Sequence, residues 1–194
     1  MSSVSSTSGL AWKRQAQVTG AGSASKEYEG AEIWYAIAPS ALSGEQVSIT
    51  YGSADAVDDG TYYLFALSGA STATPFDPNS SLPASGIGSG SKKSGPFITS
   101  SAVSTSSAGA YGFAFGSIFN GTAGGGGAVS FASTDLVPSG LAELASQPNT
   151  GAVWADISTL AGGAFSSSLS GATAGWDFTN SNNTAWAVLF DAVD

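Results

Sequence analysis

An all-β chain, folded as an antiparallel sandwich of jelly-roll type, is the architecture this sequence predicts. Three observations carry that expectation. Short runs alternate apolar with polar residues at period two, the signature of strands with one buried and one wet face. Turn residues punctuate those runs closely, with 26 glycines and 7 prolines in 194 residues. Helical spacing of apolar residues is confined to one short stretch, so the pattern is about nine or ten strands with one short helix.

Taken in order, Met1–Ser8 is rich in Ser and Thr and reads as a loose arm, ahead of a single domain over 9–194. Gly9–Val18 predicts a strand with Leu10, Trp12, Ala16 and Val18 on one side and Lys13, Gln15 and Gln17 on the other, Arg14 breaking the apolar face. Thr19–Gly30 is a polar loop. Ala31–Ser68 predicts the centre of the fold, a meander of three strands. Its middle run alternates Val47, Ile49 and Tyr51 with Gln46, Ser48 and Thr50. The flanking runs Ile33–Ala38 and Tyr62–Leu67 are apolar at nearly every position, as in strands covered on both faces.

Ser71–Gly95 is long and rich in Pro, Ser and Gly, a length of loop that usually serves a function or an interface. Pro96–Thr105 predicts a further strand. In Ala110–Phe119, Tyr111, Phe113, Phe115 and Phe119 alternate with Gly112, Ala114 and Gly116, so another backbone or sheet must lie close over the small-residue face. Asn120–Gly127 is a glycine loop and Ala128–Ala132 a short strand. Thr134–Gln147 places Leu141, Leu144 and Ala145 near helical spacing, with Pro138 early, and predicts the helix. Ala152–Ile157, Ala172–Phe178 and Thr184–Val193 complete the strands.

Composition narrows the function. Net charge is −9, with Lys13, Arg14, Lys26, Lys92 and Lys93 as the only cations, which disfavours nucleic acid and anionic membranes. Charged residues are only 10% of the chain, fitting a subunit placed among neighbours. Cysteine and histidine are absent, removing thiol chemistry, the commonest general base and the commonest transition-metal ligand. The opening residues lack the basic and apolar segments of a secretory leader, and no run reaches the roughly 18 apolar residues of a membrane span.

The candidate chemistry is thin. A nucleophile elbow is present only in degenerate form around Gly86-Ile-Gly-Ser-Gly, in a stretch that reads as loop. Acidic clusters at Asp55, Asp58 and Asp59 and at Glu27, Glu29 and Glu32 read as solvated turns, although the first offers oxygen ligands of the kind Ca²⁺ takes. Asp156 and Asp177 stand inside apolar strands and read as solvent-facing positions rather than a glycosidase pair. Ala123-Gly-Gly-Gly-Gly-Ala lacks the ending of a phosphate loop. The five tryptophans sit within strand patterns, where core packing is the expected use for at least three. No catalytic residue, metal site or cofactor is expected.

Ser8-Gly-Leu-Ala-Trp-Lys-Arg, then Glu32-Ile-Trp-Tyr-Ala-Ile-Ala-Pro-Ser-Ala-Leu-Ser-Gly and Val47-Ser-Ile-Thr-Tyr, and finally Trp186-Ala-Val-Leu-Phe-Asp-Ala, carry a resemblance. Together they resemble a β-sandwich domain of tailed-bacteriophage virion proteins, also found in bacterial secreted proteins. The resemblance implies a structural virion protein made in the host cytoplasm, above all a capsid decoration (cement) protein bound to the major capsid protein or other virion subunits. A homo-oligomer is expected, a trimer at local three-fold positions of a shell. The alternative is a carbohydrate-binding adhesin or receptor-binding tail module. Only Met1–Ser8 precedes the Gly-Leu-Ala-Trp segment, where such domains usually carry another strand, so an edge is expected to be open or to be completed by another subunit. The expected partner-binding residues lie in the long loop: Phe76, Leu82 and Ile87 as apolar anchors, with Lys92 and Lys93 as the paired cations.

Overall fold

The computed structural model describes residues 3–21, 28–52, 60–89, 98–120, 131–150, 155–178 and 184–194. Among them are twelve strands and no helix. The strands are β1 (Ser3–Ser6), β2 (Lys13–Ala21), β3 (Tyr28–Tyr35), β4 (Val47–Thr50), β5 (Ala84–Ser89) and β6 (Ile98–Val103), followed by β7 (Tyr111–Asn120), β8 (Phe131–Val137), β9 (Ala142–Thr150), β10 (Ala155–Ala164), β11 (Ala172–Phe178) and β12 (Thr184–Val193). All ladders are antiparallel.

Strand order reveals how the chain is wound. One sheet runs β5-β12-β7-β10-β9 and a second runs β6-β11-β8. From β5 onward, the first strand pairs with the last, the second with the next to last, and the third with the one before that. A two-stranded ribbon bent back at β8 and β9 and rolled across two sheets has this pairing, which is the jelly roll. One departure occurs at the bend, where β9 pairs with β10 in the larger sheet.

The main core lies between these two sheets. Register places Trp186, Val188 and Phe190 of β12 beside Ile118, Gly116 and Ala114 of β7. This face meets Ile98, Val103, Ala174 and Trp176 of the smaller sheet, with Phe165 closing one end. The small residues of β7 are required here. A Cβ on Gly116 would lie 2.7 Å from Cζ3 of Trp176 and 3.0 Å from Cδ1 of Ile98, and Gly112 lies beneath the rings of Phe165 and Phe190. The smaller sheet does lie over this face, but the close contacts are side chains rather than backbone: the Trp176 indole at Gly116 and the Phe165 and Phe190 rings at Gly112.

The opposite face of the larger sheet is covered too. Ala187 and Leu189 of β12, with Phe115 of β7, pack against Ala16, Val18, Ala31 and Ile33 of the β2–β3 pair. Further along, the segment Thr61–Leu67 crosses β7 and β10, its Tyr63 and Phe65 rings 6.0 and 5.5 Å from those of Phe115 and Phe113. Covering on both sides explains why Thr184–Val193 is apolar at nearly every position.

Several expectations are corrected. The meander does not form: β3 pairs with β2, β4 pairs with β1, and Tyr62–Leu67 belongs to no ladder. Apolar runs mark extended chain without naming its partner, and the middle of the sheet is taken by β12 and β7. The helix expected over Thr134–Gln147 is instead β8, a turn and β9. Gly140 at φ +108° sits in that turn, a conformation that suits glycine and ends any helix. The loose arm is partly ordered, since Ser3–Ser6 pairs with Val47–Thr50. Glu45 clasps this ribbon, accepting hydrogen bonds from Ser8 N and Oγ at 3.0 and 2.7 Å and from Thr7 Oγ1 at 3.2 Å. The stretch expected to be loop from Ser71 to Gly95 contains β5.

The apolar break at Arg14 also gains a cause. A bulge between Arg14 and Ala16 adds a residue, setting Arg14 opposite Trp34 and Ala16 opposite Ile33. The inserted Gln15, expected on the wet face, reaches inward to Asp191.

The tight seat of Trp176 gives a first prediction. Gly116→Val overfills the core where the indole cannot withdraw, and should cost about 1–3 kcal/mol. Urea unfolding of the purified variant should show a lower midpoint with an unchanged slope.

Candidate interaction surface

Thr61–Leu67 is the one long apolar run among the described residues that is extended yet unpaired. Its sequence, Thr-Tyr-Tyr-Leu-Phe-Ala-Leu, favours extended backbone through its aromatic and β-branched residues. Among the described residues, no main-chain hydrogen bond involves positions 61–67. The segment is held by side chains instead: the Tyr63 hydroxyl donates to the carbonyl oxygen of Ser158 at 2.8 Å. Burial pushes the Tyr63 phenol up from its ordinary pKa, only partly offset by its hydrogen bonds to Ser158 and Gln147.

With the Tyr63 ring turned onto the sheet, its neighbours are left in solvent. Tyr62, Leu64, Phe65 and Leu67 are 48%, 66%, 40% and 39% exposed. The patch continues onto β9. A Cβ on Gly162 would meet Leu144 Cδ1 at 2.9 Å and the Tyr111 hydroxyl at 2.6 Å, and Gly162 is the cross-strand neighbour of Phe113, beneath Phe65. Leu144 is itself exposed. A connected group of large apolar side chains left open in this way marks an interaction site. No charged residue occurs from Gly60 to Phe76, in a chain of net charge −9.

The residues expected to bind partners are placed differently. Phe76 forms a bridge with Val193 and packs edge-on against Tyr35, ring centroids 4.8 Å apart. Leu82 packs against the main core. Both serve the fold, whereas Ile87 is exposed on β5, a strand with β12 as its single ladder partner. Lys92 and Lys93 lie outside the described residues, as do Asp55, Asp58, Asp59, Glu27, Trp154 and the glycine run 123–127. Gly86-Ile-Gly-Ser belongs to strand β5 rather than to a loop or a strand-to-helix elbow, and the Thr99 carbonyl occupies the space a Gly86 side chain would need.

Asp156 belongs to β10 of the larger sheet and Asp177 to β11 of the smaller one. Glu32 is engaged by Trp34 Nε1 at 2.6 Å and by Arg14 at 3.9 Å, with the guanidinium over the Trp34 ring at 5.9 Å. The Trp34 ring thus has its N–H engaged by Glu32 and the Arg14 guanidinium over it. Trp176 is fully buried and Trp186 packs against the same core. Among the described residues, no three of His, Cys, Asp and Glu gather as a metal site. Comparisons with protein-family models, with curated proteins and with solved structures gave no match to this chain.

Sequence reasoning missed two buried acids. Asp191 is completely buried in β12, on the face turned toward β2. Its Oδ2 accepts from Gln15 Nε2 at 2.9 Å and its Oδ1 from its neighbour's amide, Ala192 N, at 2.9 Å. Asp77 is also buried, accepting from Asn79 N at 2.8 Å and Ser106 N at 2.7 Å. The available signal was an acid interrupting an otherwise apolar strand. Both carboxylates are closed to solvent and tie segments together: Asp77 N donates to Ala192 O at 3.0 Å, beside the second acid.

Burial raises the Asp191 pKa to about 6, the hydrogen bonds from Gln15 and Ala192 oppose that shift, and the charge of Asp77 adds to it. The folded state therefore holds this proton more tightly than the unfolded chain does. The resulting stabilisation is full below the ordinary Asp range and is lost as pH rises through about 6, amounting to at most about 3 kcal/mol. Urea midpoints should be higher at mildly acidic than at neutral pH, and Asp191→Asn should flatten most of that dependence.

Proposed function

We propose that this chain is a non-catalytic assembly module, and that its setting is the virion of a tailed phage, where it decorates and stabilises the shell. The observation that carries the assembly reading is the uncharged, exposed, unpaired Thr61–Leu67 strip with Leu144 beside it. Large apolar groups held open on an ordered frame are complementary to another protein surface. The low charge and the lack of histidine support the same reading from composition.

The shell setting draws on the resemblance carried by the Gly9-Leu-Ala-Trp and Glu32-Ile-Trp-Tyr stretches. Jelly rolls are a common architecture of capsid and lectin domains, and lend the reading support at the level of fold. The shell contact is assigned to β5 at the end of the larger sheet, where Ile87 is exposed, and to the Lys92–Lys93 stretch that follows in sequence. Phe76 and Leu82 drop out of that contact because the fold uses them.

Purified particles from infected cells should contain the chain in near-stoichiometric amount. Ile87→Glu should lower its occupancy there severalfold while changing stability by no more than about 0.5 kcal/mol, as for a surface position. A chain that stays wholly in the soluble fraction, with particles that lack it, overturns the virion reading.

A further inference from the structure

We infer that the Thr61–Leu67 strip pairs with the same strip of a second copy, antiparallel across a two-fold axis through Leu64. The inference rests on the assembly reading and names the partner at that surface.

The first argument is the backbone. Positions 61–67 make no main-chain hydrogen bond among the described residues, yet they are extended and exposed. Main-chain donors and acceptors brought beside apolar surface need partners, and an added strand supplies them in register. The second is charge. Two copies of net charge −9 repel over most approaches, but no charged residue lies between Gly60 and Phe76. Along positions 60–76 the two strips set no carboxylates against one another, and the charge that reaches the strip is that of Glu143 on β9, which raises the Tyr63 phenol further.

Self-pairing also fits the residue pattern. Directly opposed residues in an antiparallel pair point to the same side, so a dyad in the ribbon must join positions of like parity. Centring it on Leu64 uses the whole strip. Tyr63 of one copy then faces Phe65 of the other, Tyr62 faces Ala66, and Leu64 faces itself. The Tyr63 and Phe65 rings keep their seats on Phe115 and Phe113, and the cross-strand aromatic pair is a favourable one. The most exposed large hydrophobic side chain of the described residues, Leu64, falls at the centre. Such an interface is isologous and closes on itself, giving a dimer rather than the trimer expected from sequence.

The chain has no cysteine, so introduced thiols report the register directly. Opposed residues stand about 4.5–5.5 Å apart at Cα, within the roughly 4.4–6.8 Å that a disulfide spans. Under mild oxidation, Leu64→Cys should give a reducible dimer. Tyr62→Cys alone should not, but should cross-link when mixed with Ala66→Cys. Leu144→Cys, exposed but outside the ribbon, is the control.

Light scattering on the wild-type protein, which depends on no variant folding, should give twice 19.1 kDa. Leu64→Lys should return it to the monomer mass by setting two like charges opposite one another. A monomeric wild type, or Leu64→Cys that cross-links no better than Leu144→Cys, overturns the inference. These measurements use purified chain without particles. A dimer absent from particles would therefore sink the virion reading alone, and a monomer found on particles would sink this one alone.

Discussion

Everything in this fold leans on the pairing of β12 with β7, a ladder that must be buried on both faces at once. On one side the two strands present Val188, Phe190, Ala114 and Ile118 to the smaller sheet, and all four are nearly or fully removed from water. On the other, Ala187 and Leu189 meet the β2–β3 pair. Each large side chain buried in this way contributes about 1.5–3 kcal/mol. The gain is available only because Gly112 and Gly116 leave room for the rings above them. Rings seated over the glycines of β7 are how the two sheets reach close packing.

The second face is assembled from unlike pieces, and this is where the chemistry of interest gathers. The β2–β3 pair covers β12, a strip without ladder bonds covers β7 and β10, and Asp191 lies under Gln15 beside them. A carboxylate placed in such a seam makes the attachment of the outer layer sensitive to its charge. The strip, held by the Tyr63 and Phe65 rings and one phenolic hydrogen bond, covers the sheet while leaving its own backbone available. Covering one surface and offering another are the same structural act.

Much of this was legible in the sequence, and the limits have physical causes. The alternation in Ala110–Phe119 and Thr184–Val193 names strands because period two leaves no other way to sort rings from glycines. The same reasoning placed Ile33–Ala38 and Tyr62–Leu67 at the sheet centre, because a continuous apolar run looks alike whether it is covered twice or once. Partner choice in a jelly roll joins distant residues, as Gly86 with Val188 or Thr173 with Ala102, and local pattern carries no trace of it. Around Leu141 and Leu144, helical spacing and an exposed edge strand coincide over so short a window, and Gly140 decides between them. For the site, Ile87 stands exposed on a strand, although the sequence around it reads as loop. Phe76 and Leu82 were misread because prolines and serines around them look like loop whether the segment is free or strapped to β12.

The winding has a consequence for how the molecule is made. β12 is the last strand in chain order, yet it joins β5 to β7 and supports both outer layers. As the chain leaves the ribosome, β5 and β7 have no neighbour on their facing edges and the rings of β7 have no complete seat. The sheets cannot close until β12 emerges, so folding waits for that strand and then proceeds through long-range pairings that are intrinsically slow. During that wait the chain carries its apolar runs uncovered, a condition that favours association with chaperones or with other nascent copies. Closure of both outer layers thereby waits on one event, the arrival of the segment that begins at Thr184.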